Sequence, residues 1–202
     1  VSRTGAGTSL LGPPPGSGRR DAQRNTARVL DAAALLITRC GPDALTMDAV
    51  AAQAGVGKGT VFRRFGNRAG LMAALMDHTE RELQERFMSG PPPLGPGAPP
   101  LERLLAFGEA RLHLVAAQGP IMRAIGDLDS RFEVPAHGLA LTHVRLLLQA
   151  LETGGDVELL ASALMAPLDP ALVSLQVQHG VSMDRITAAW QDLVRRVVGA
   201  RR

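Results

Sequence analysis

Residues 46–71, TMDAVAAQAGVGKGTVFRRFGNRAGL, leave a chain few ways to fold. Two short apolar-patterned runs, 47–54 and about 58–65, are separated by AGVG. Thr46 is an N-cap residue placed before the first run, and Gly55 can end it. Gly57 stands at the cap position of the second run, and Asn67 can cap the helix that follows. Val50, Ala54, Val56, Val61 and Phe65 can pack these pieces together. The pattern predicts two short helices joined by a tight glycine turn, a helix-turn-helix whose second member can enter the major groove of DNA. Eight residues at about 1.5 Å each span only about 12 Å. That is enough, because the N-terminal end of such a helix makes the base contacts.

The rest of the chain reads as helical too. In NTARVLDAAALLITRCG, Leu30, Ala33, Ala34 and Ile37 recur at helical spacing, with Asn25 as a candidate N-cap and Gly41-Pro42 as the stop. A long helix is expected over 68–88, with Leu71, Leu75, Leu83 and Phe87 on its inner face. Further helices are expected over 101–118, 120–128, 136–153, 156–166 and 183–198, the last capped by Ser182. Pro167 and Pro170 should split the region after 156 into two pieces or kink it. Strand signals are scarce, and the expected class is all-α with nine or ten helices. Residues 1–20 are rich in Gly, Pro and Ser and are expected to be a disordered arm. The expected organisation is that arm, a DNA-binding head over 21–67 and a body over 68–202. GPPPLGPGAPP at 90–100 reads as a linker between two parts.

Charge and residue usage narrow the function. Residues 1–70 carry ten basic and four acidic side chains, whereas 71–202 carry twelve basic and fifteen acidic. A basic first third suits an anionic partner such as nucleic acid. Lys58 is the chain's single lysine. It lies with Gly59 and Thr60 at the N-terminal end of the second short helix, where Lys58 can donate to guanine or phosphate and Thr60 can meet a base edge. Glycine inside a helix costs about 0.5–1 kcal/mol relative to alanine. Gly59 therefore suggests a close approach of backbone to DNA. Arg63, Arg64, Arg68 and the Thr46 cap suit phosphates.

Rival readings fail on spacing. A phosphate-cradling loop, G-x-x-x-x-G-K-[ST], has Ala52 at its first glycine and Gly59 at its Ser/Thr. The dinucleotide pattern G-x-G-x-x-G has Thr60 at its last glycine. Cys40 is the only cysteine, so an internal disulfide and a thiolate metal site are excluded. The five histidines sit far apart with no paired spacing, and neither a metal site nor a cofactor is expected. No catalytic pair stands at a recognisable spacing, so no enzyme is expected. The N-terminus has no apolar signal core and no run is long enough to span a bilayer, so a cytoplasmic, non-membrane protein is expected.

ALTMDAVAAQAGVGKGTVFRRFGNRAGLMAAL resembles the DNA-binding region of the tetracycline-repressor (TetR) family. Thr46, Val50, Ala51, Ala54, Gly55, Val56, Lys58, Gly59, Thr60, Phe65 and Leu71 carry the likeness, which covers about residues 25–75. Gly57 replaces a serine at the recognition-helix cap, Phe62 a DNA-contacting tyrosine, Arg64 a histidine, Arg68 a lysine and Ala69 a glutamate. The resemblance implies an all-α homodimer with a three-helix DNA-binding head and a larger ligand-binding and dimerisation body. It also implies binding to a double-stranded operator as a repressor relieved by a small-molecule effector. A helical adaptor of the same fold with weakened DNA binding is the alternative. The implied dimer interface would come from the last two long helices, through Leu160, Leu164, Ile186, Trp190, Leu193 and Val197; the subunit's own core is the alternative for the last four. The effector pocket would draw on Phe87, Leu104, Phe107, Leu112, Met122, Phe132 and Leu146, with Arg111, His113, His143 and Arg145 as polar candidates; simple core packing is the other reading of each apolar one.

Overall fold

The computed structural model describes residues 17–125 and 135–199, with side chains described for 24–119 and 138–199. Nine α-helices and no strand occur among the described residues. They are α1 (Ser17–Cys40), α2 (Met47–Ala54), α3 (Lys58–Phe65), α4 (Arg68–Ser89), α5 (Pro100–Ile125), α6 (Pro135–Ala150), α7 (Val157–Met165), α8 (Pro170–Gln178) and α9 (Met183–Gly199). No single described helix is long and apolar enough to cross a membrane; α7 and α8 reach that length only together, across a 41° bend.

The caps explain most boundaries. Thr46 Oγ1 accepts from the Ala49 N–H at 3.1 Å, Asn67 from Gly70, Asp156 from Glu158 and Leu159, and Asp169 from Ala171 and Leu172. Each accepts from a donor that the first helical turn leaves unpaired. The backbone of Gly55 is left-handed at φ 65°, and its N–H bonds back to the end of α2, which sets up the turn into α3. Ser182 accepts from Arg185 N at 3.4 Å and starts α9. Pro167 and Pro170 do divide the chain into α7 and α8, with a short 3-10 turn at Ala166–Leu168 between them.

Three boundaries differ from the sequence reading. α1 begins at Ser17 rather than at Asn25, because Arg19, Arg20, Ala22, Gln23 and Arg24 are good helix formers and carry the helix past the candidate cap. Residues 1–16 of the expected arm lie outside the described residues, and 17–20 belong to α1. α5 runs through Gly119-Pro120 without a break. Proline removes one helical donor, but the preceding turns are pinned by buried Leu104, Phe107, Leu112 and Val115. GPPPLGPGAPP forms the α4–α5 loop, yet it does not divide the chain into two parts. Leu94 is buried in the body core, and Arg103 Nη2 donates to Phe87 O at 3.1 Å across the loop's two ends.

Two cores meet within α4. Val29, Leu30 and Ala33 of α1, Val50, Ala51 and Ala54 of α2, and Val61 of α3 pack with Leu71, Met72 and Leu75 at the start of α4. Leu83 and Phe87, further along the same helix, belong to a second core with α5–α9. Inside that second core, Gly108 of α5 lies under the indole of Trp190. A Cβ there would sit 2.0 Å from the ring. The indole N–H donates to Leu164 O at 2.9 Å.

Candidate functional site

α3 is anchored to the head by one face only. Val61 is fully buried and Phe65 half-buried, whereas Lys58, Gly59, Thr60, Phe62, Arg63 and Arg64 are exposed. Phe62 leaves 41 % of its surface in water although the head core is one residue away. The ring stands among the exposed Lys58, Arg63 and Arg64.

The basic groups on this face are held loosely. Lys58 Nζ lies 2.7 Å from Asp48 Oδ2 on α2 and 5.7 Å from the centroid of the Phe62 ring. Its pair with Asp48 is solvent-exposed, and such pairs are worth only about 0–1 kcal/mol. A better anionic or carbonyl partner can therefore take the lysine. Arg63 Nε donates to Gly59 O at 3.2 Å, one turn back, and Arg64 has no partner among the described residues.

The glycines separate by role. A Cβ on Gly59 would meet nothing within 4 Å, so nothing in the fold requires glycine there. Gly57 has an ordinary extended backbone at φ −66°, and its Cβ would touch only Thr60 Oγ1 at 3.9 Å. Gly70, by contrast, is imposed by packing: its Cβ would fall 2.2 Å from Phe65 O, where α3 turns into α4.

One head residue is used differently from the sequence reading. Arg68 was expected on phosphate, but its Nε donates to Leu45 O at 2.9 Å and its Nη2 to Pro42 O at 2.7 Å. It ties the start of α4 to the loop before α2, because those loop carbonyls lie within reach and lack helical donors. Thr46 is exposed, and its hydroxyl caps α2 as the sequence predicts.

In the body, Phe87, Leu104 and Phe107 are fully buried and fill the space expected for a pocket. His143 stacks on Phe87 with ring centroids 4.4 Å apart and lies 5.3 Å from Phe107. Burial, with Arg103 nearby, lowers its pKa from 6.5 to about 4, so it is neutral in this apolar setting. These side chains pack against one another in the body core. Arg111 forms an ion pair with Glu80, both largely buried, and so joins α5 to α4. Arg145 pairs with Glu158, Leu112 is buried and Leu146 is exposed. Phe132 and the Met122 side chain lie outside the described residues.

An open groove of about 690 Å³ lies elsewhere, between α4 and α5. Thr79, Glu82, Leu83, Glu85, Arg86, Ala110, His113 and Leu114 line it. Of the sequence candidates, only His113 is among them. The α4 contributors sit at helical spacing, but a periodic pattern does not tell which polar face borders a groove.

The expected interface residues also divide. Leu164, Ile186 and Trp190 are buried in the subunit's own core, and Leu160 and Val197 are half-buried against it. The Trp190 bond to Leu164 O and its seat on Gly108 hold it inward. Leu193 is 36 % exposed. The larger exposed apolar side chains here are Leu159 of α7 and Leu172, Leu175 and Val177 of α8. The sequence reading missed these four.

Comparison with known proteins gives a consistent likeness. Residues 29–75 match the family model described as bacterial regulatory proteins, tetR family. That span has the same limits as the head core, which runs from Val29 to Leu75. The chain is 31 % identical over 109 residues to an HTH-type transcriptional regulator BetI of Paraburkholderia phymatum, covering 54 % of each sequence. The match thus spans about half the length of that relative. Among solved structures, a TetR-family regulator from Pectobacterium atrosepticum superposes with a TM-score of 0.67 at 20 % identity, covering 91 % of this chain and 99 % of that one. A regulator from Saccharomonospora viridis in complex with choline has a TM-score of 0.58 at 18 % identity, covering 86 % and 96 %. These relatives are transcriptional regulators.

Proposed function

We propose that this chain, a TetR-family regulator by its head and its fold, is a homodimeric repressor that binds a palindromic operator and releases it when a small molecule enters the body. The observation that carries this reading is the exposed face of α3. It presents the chain's single lysine, a glycine with open space above it, an exposed phenylalanine and two arginines. Lys58 and Thr60 read base edges, Arg63 and Arg64 bind phosphates, Phe62 packs on sugar or methyl groups, and Thr46 abuts the backbone near the α2 N-terminus. Arg68 positions the loop before α2.

Dimerisation would use the exposed apolar residues of α7–α9: Leu159, Leu172, Leu175, Val177 and Leu193. The α4–α5 groove would take the effector. Because α4 carries residues of both cores, a shift of its groove-lining half is passed to the head. Operator half-sites lie one helical turn, about 34–36 Å, or a multiple of it apart. A displacement of a few ångströms between the two α3 helices would abolish simultaneous docking.

The test is a gel shift against DNA flanking the chain's own gene, in wild type and in Lys58→Ala and Arg64→Ala variants. Saturable binding that weakens steeply with salt is expected. Lys58→Ala should relax sequence preference, while Arg64→Ala should weaken all sequences alike and reduce the salt slope by about 1. Absence of specific binding at low salt would reject the repressor reading in favour of a helical adaptor. Since one structural neighbour holds choline, choline is the first compound to titrate against the complex.

A further inference from the structure

We propose that Asp31, His78 and Glu82 form a site for one divalent transition-metal ion that ties α1 to the middle of α4. His78 Nε2 lies 3.0 Å from Asp31 Oδ1 and 3.5 Å from Glu82 Oε1, and all three ligand atoms fall within 4.8 Å of one another. Nitrogen and carboxylate oxygen bind zinc at about 2.0–2.2 Å, so two ligands sharing one ion sit roughly 2.8–3.6 Å apart between octahedral and tetrahedral angles. Both histidine distances lie in that range without rearrangement.

The ligand set has a defined chemistry. His78 and Glu82 are one helical turn apart on α4 and face the same way, while Asp31 comes from α1. The imidazole is largely enclosed, its side chain 14 % exposed, whereas the two carboxylates reach solvent. A neutral imidazole has one hydrogen at Nε2 and can satisfy only one of the two carboxylates. An ion satisfies all three and neutralises their mutual repulsion. One nitrogen and two oxygens, with room for water, suit zinc and its first-row neighbours better than magnesium or calcium. The sequence hides the site because Asp31 and His78 stand 47 residues apart.

Its position gives it a consequence. His78 and Glu82 lie between Leu75, the last residue of the head core, and Leu83, where the body core begins on α4. An ion here clamps a head helix to the segment that joins the two cores. Glu82 also lines the α4–α5 groove, so clamp and groove share a carboxylate.

The test uses the full chain stripped with EDTA. Zn²⁺ titration by calorimetry should show one ion per chain bound through this cluster, and Co²⁺ should give a visible d–d absorption that zinc bleaches. His78→Ala and Asp31→Asn should each lower zinc affinity at least about tenfold, the scale found even for partners that only support a ligand. His179→Ala, an exposed histidine elsewhere, should leave it unchanged. Wild type that binds no zinc, or that binds no better than both variants, overturns the proposal. Circular dichroism checks folding; if His78→Ala is unfolded, the isosteric Asp31→Asn decides. None of these readouts uses DNA, so the proposal stands or fails separately from the repressor reading.

Discussion

Gly59→Ala should make the free protein more stable and its DNA complex weaker. The two signs come from two different environments of one atom. In the free chain, the added Cβ meets nothing within 4 Å, so the fold accepts it without strain. Gly59 is the second residue of α3. Alanine in a helix interior gains about 0.5–1 kcal/mol over glycine, and a first-turn position receives the lower part of that range. For a chain of this size about 0.5 kcal/mol raises the melting temperature by roughly 1–2 °C. In the proposed complex the same face meets DNA, and an extra methyl in a closed contact costs about 1–3 kcal/mol. That is a loss of roughly five- to 150-fold in affinity. Thermal melting measures the first effect, and fluorescence anisotropy on an operator at fixed salt measures the second. A variant that melts higher and binds DNA as well as wild type would refute the close approach and leave Gly59 unexplained. A variant that melts lower would refute the open-space argument itself.

Other outcomes follow from the body. Gly108→Ala places a methyl 2.0 Å from the Trp190 ring, so overpacking of about 1–3 kcal/mol should lower the melting temperature by several degrees; an unchanged melting curve would contradict that packing. Leu175→Arg puts a charge into the proposed seam at a residue already exposed in the subunit. Light scattering should then report monomers with unchanged helix content, and a persistent dimer would remove Leu175 from the seam. His143 has its pKa lowered to about 4 from 6.5, so between these values the unfolded chain binds the extra proton. Its contribution to stability is complete above about pH 6.5 and is lost as pH falls toward 4. Melting curves of His143→Phe should accordingly be flatter across that interval than those of wild type.

The head was legible because its determinants are local. Thr46, Gly55 and Asn67 act on backbone groups within four residues of themselves, and the short helices between them can bury only one face each. Such rules work without knowledge of distant contacts. Arg68 shows their limit. Nothing in the sequence tells whether an arginine at a helix start faces outward to phosphate or back to Leu45 and Pro42, because the loop that receives it is placed by tertiary packing. Pro120 shows another limit. A proline breaks a helix only when the adjoining turns lack stronger support, and here Gln118, two residues before Pro120, is held by Thr79 and Met76 of α4.

The body was legible as helices but not as surfaces. Trp190, Ile186 and Leu193 share one helical stripe, and the stripe alone cannot say which of them faces the chain's own core. Gly108, 82 positions earlier, settles it for Trp190, since only a residue without a side chain admits the indole. The same reasoning separates pocket from core. Large apolar residues such as Phe87 and Phe107 attract attention in sequence, yet they close upon one another. The groove instead runs along the polar residues of α4, between Thr79 and Ser89. That places the candidate effector contacts and the Asp31–His78–Glu82 cluster on the helix that joins the two cores. A signal entering there needs no long relay, because the element it touches already carries Leu71 and Leu75 into the head.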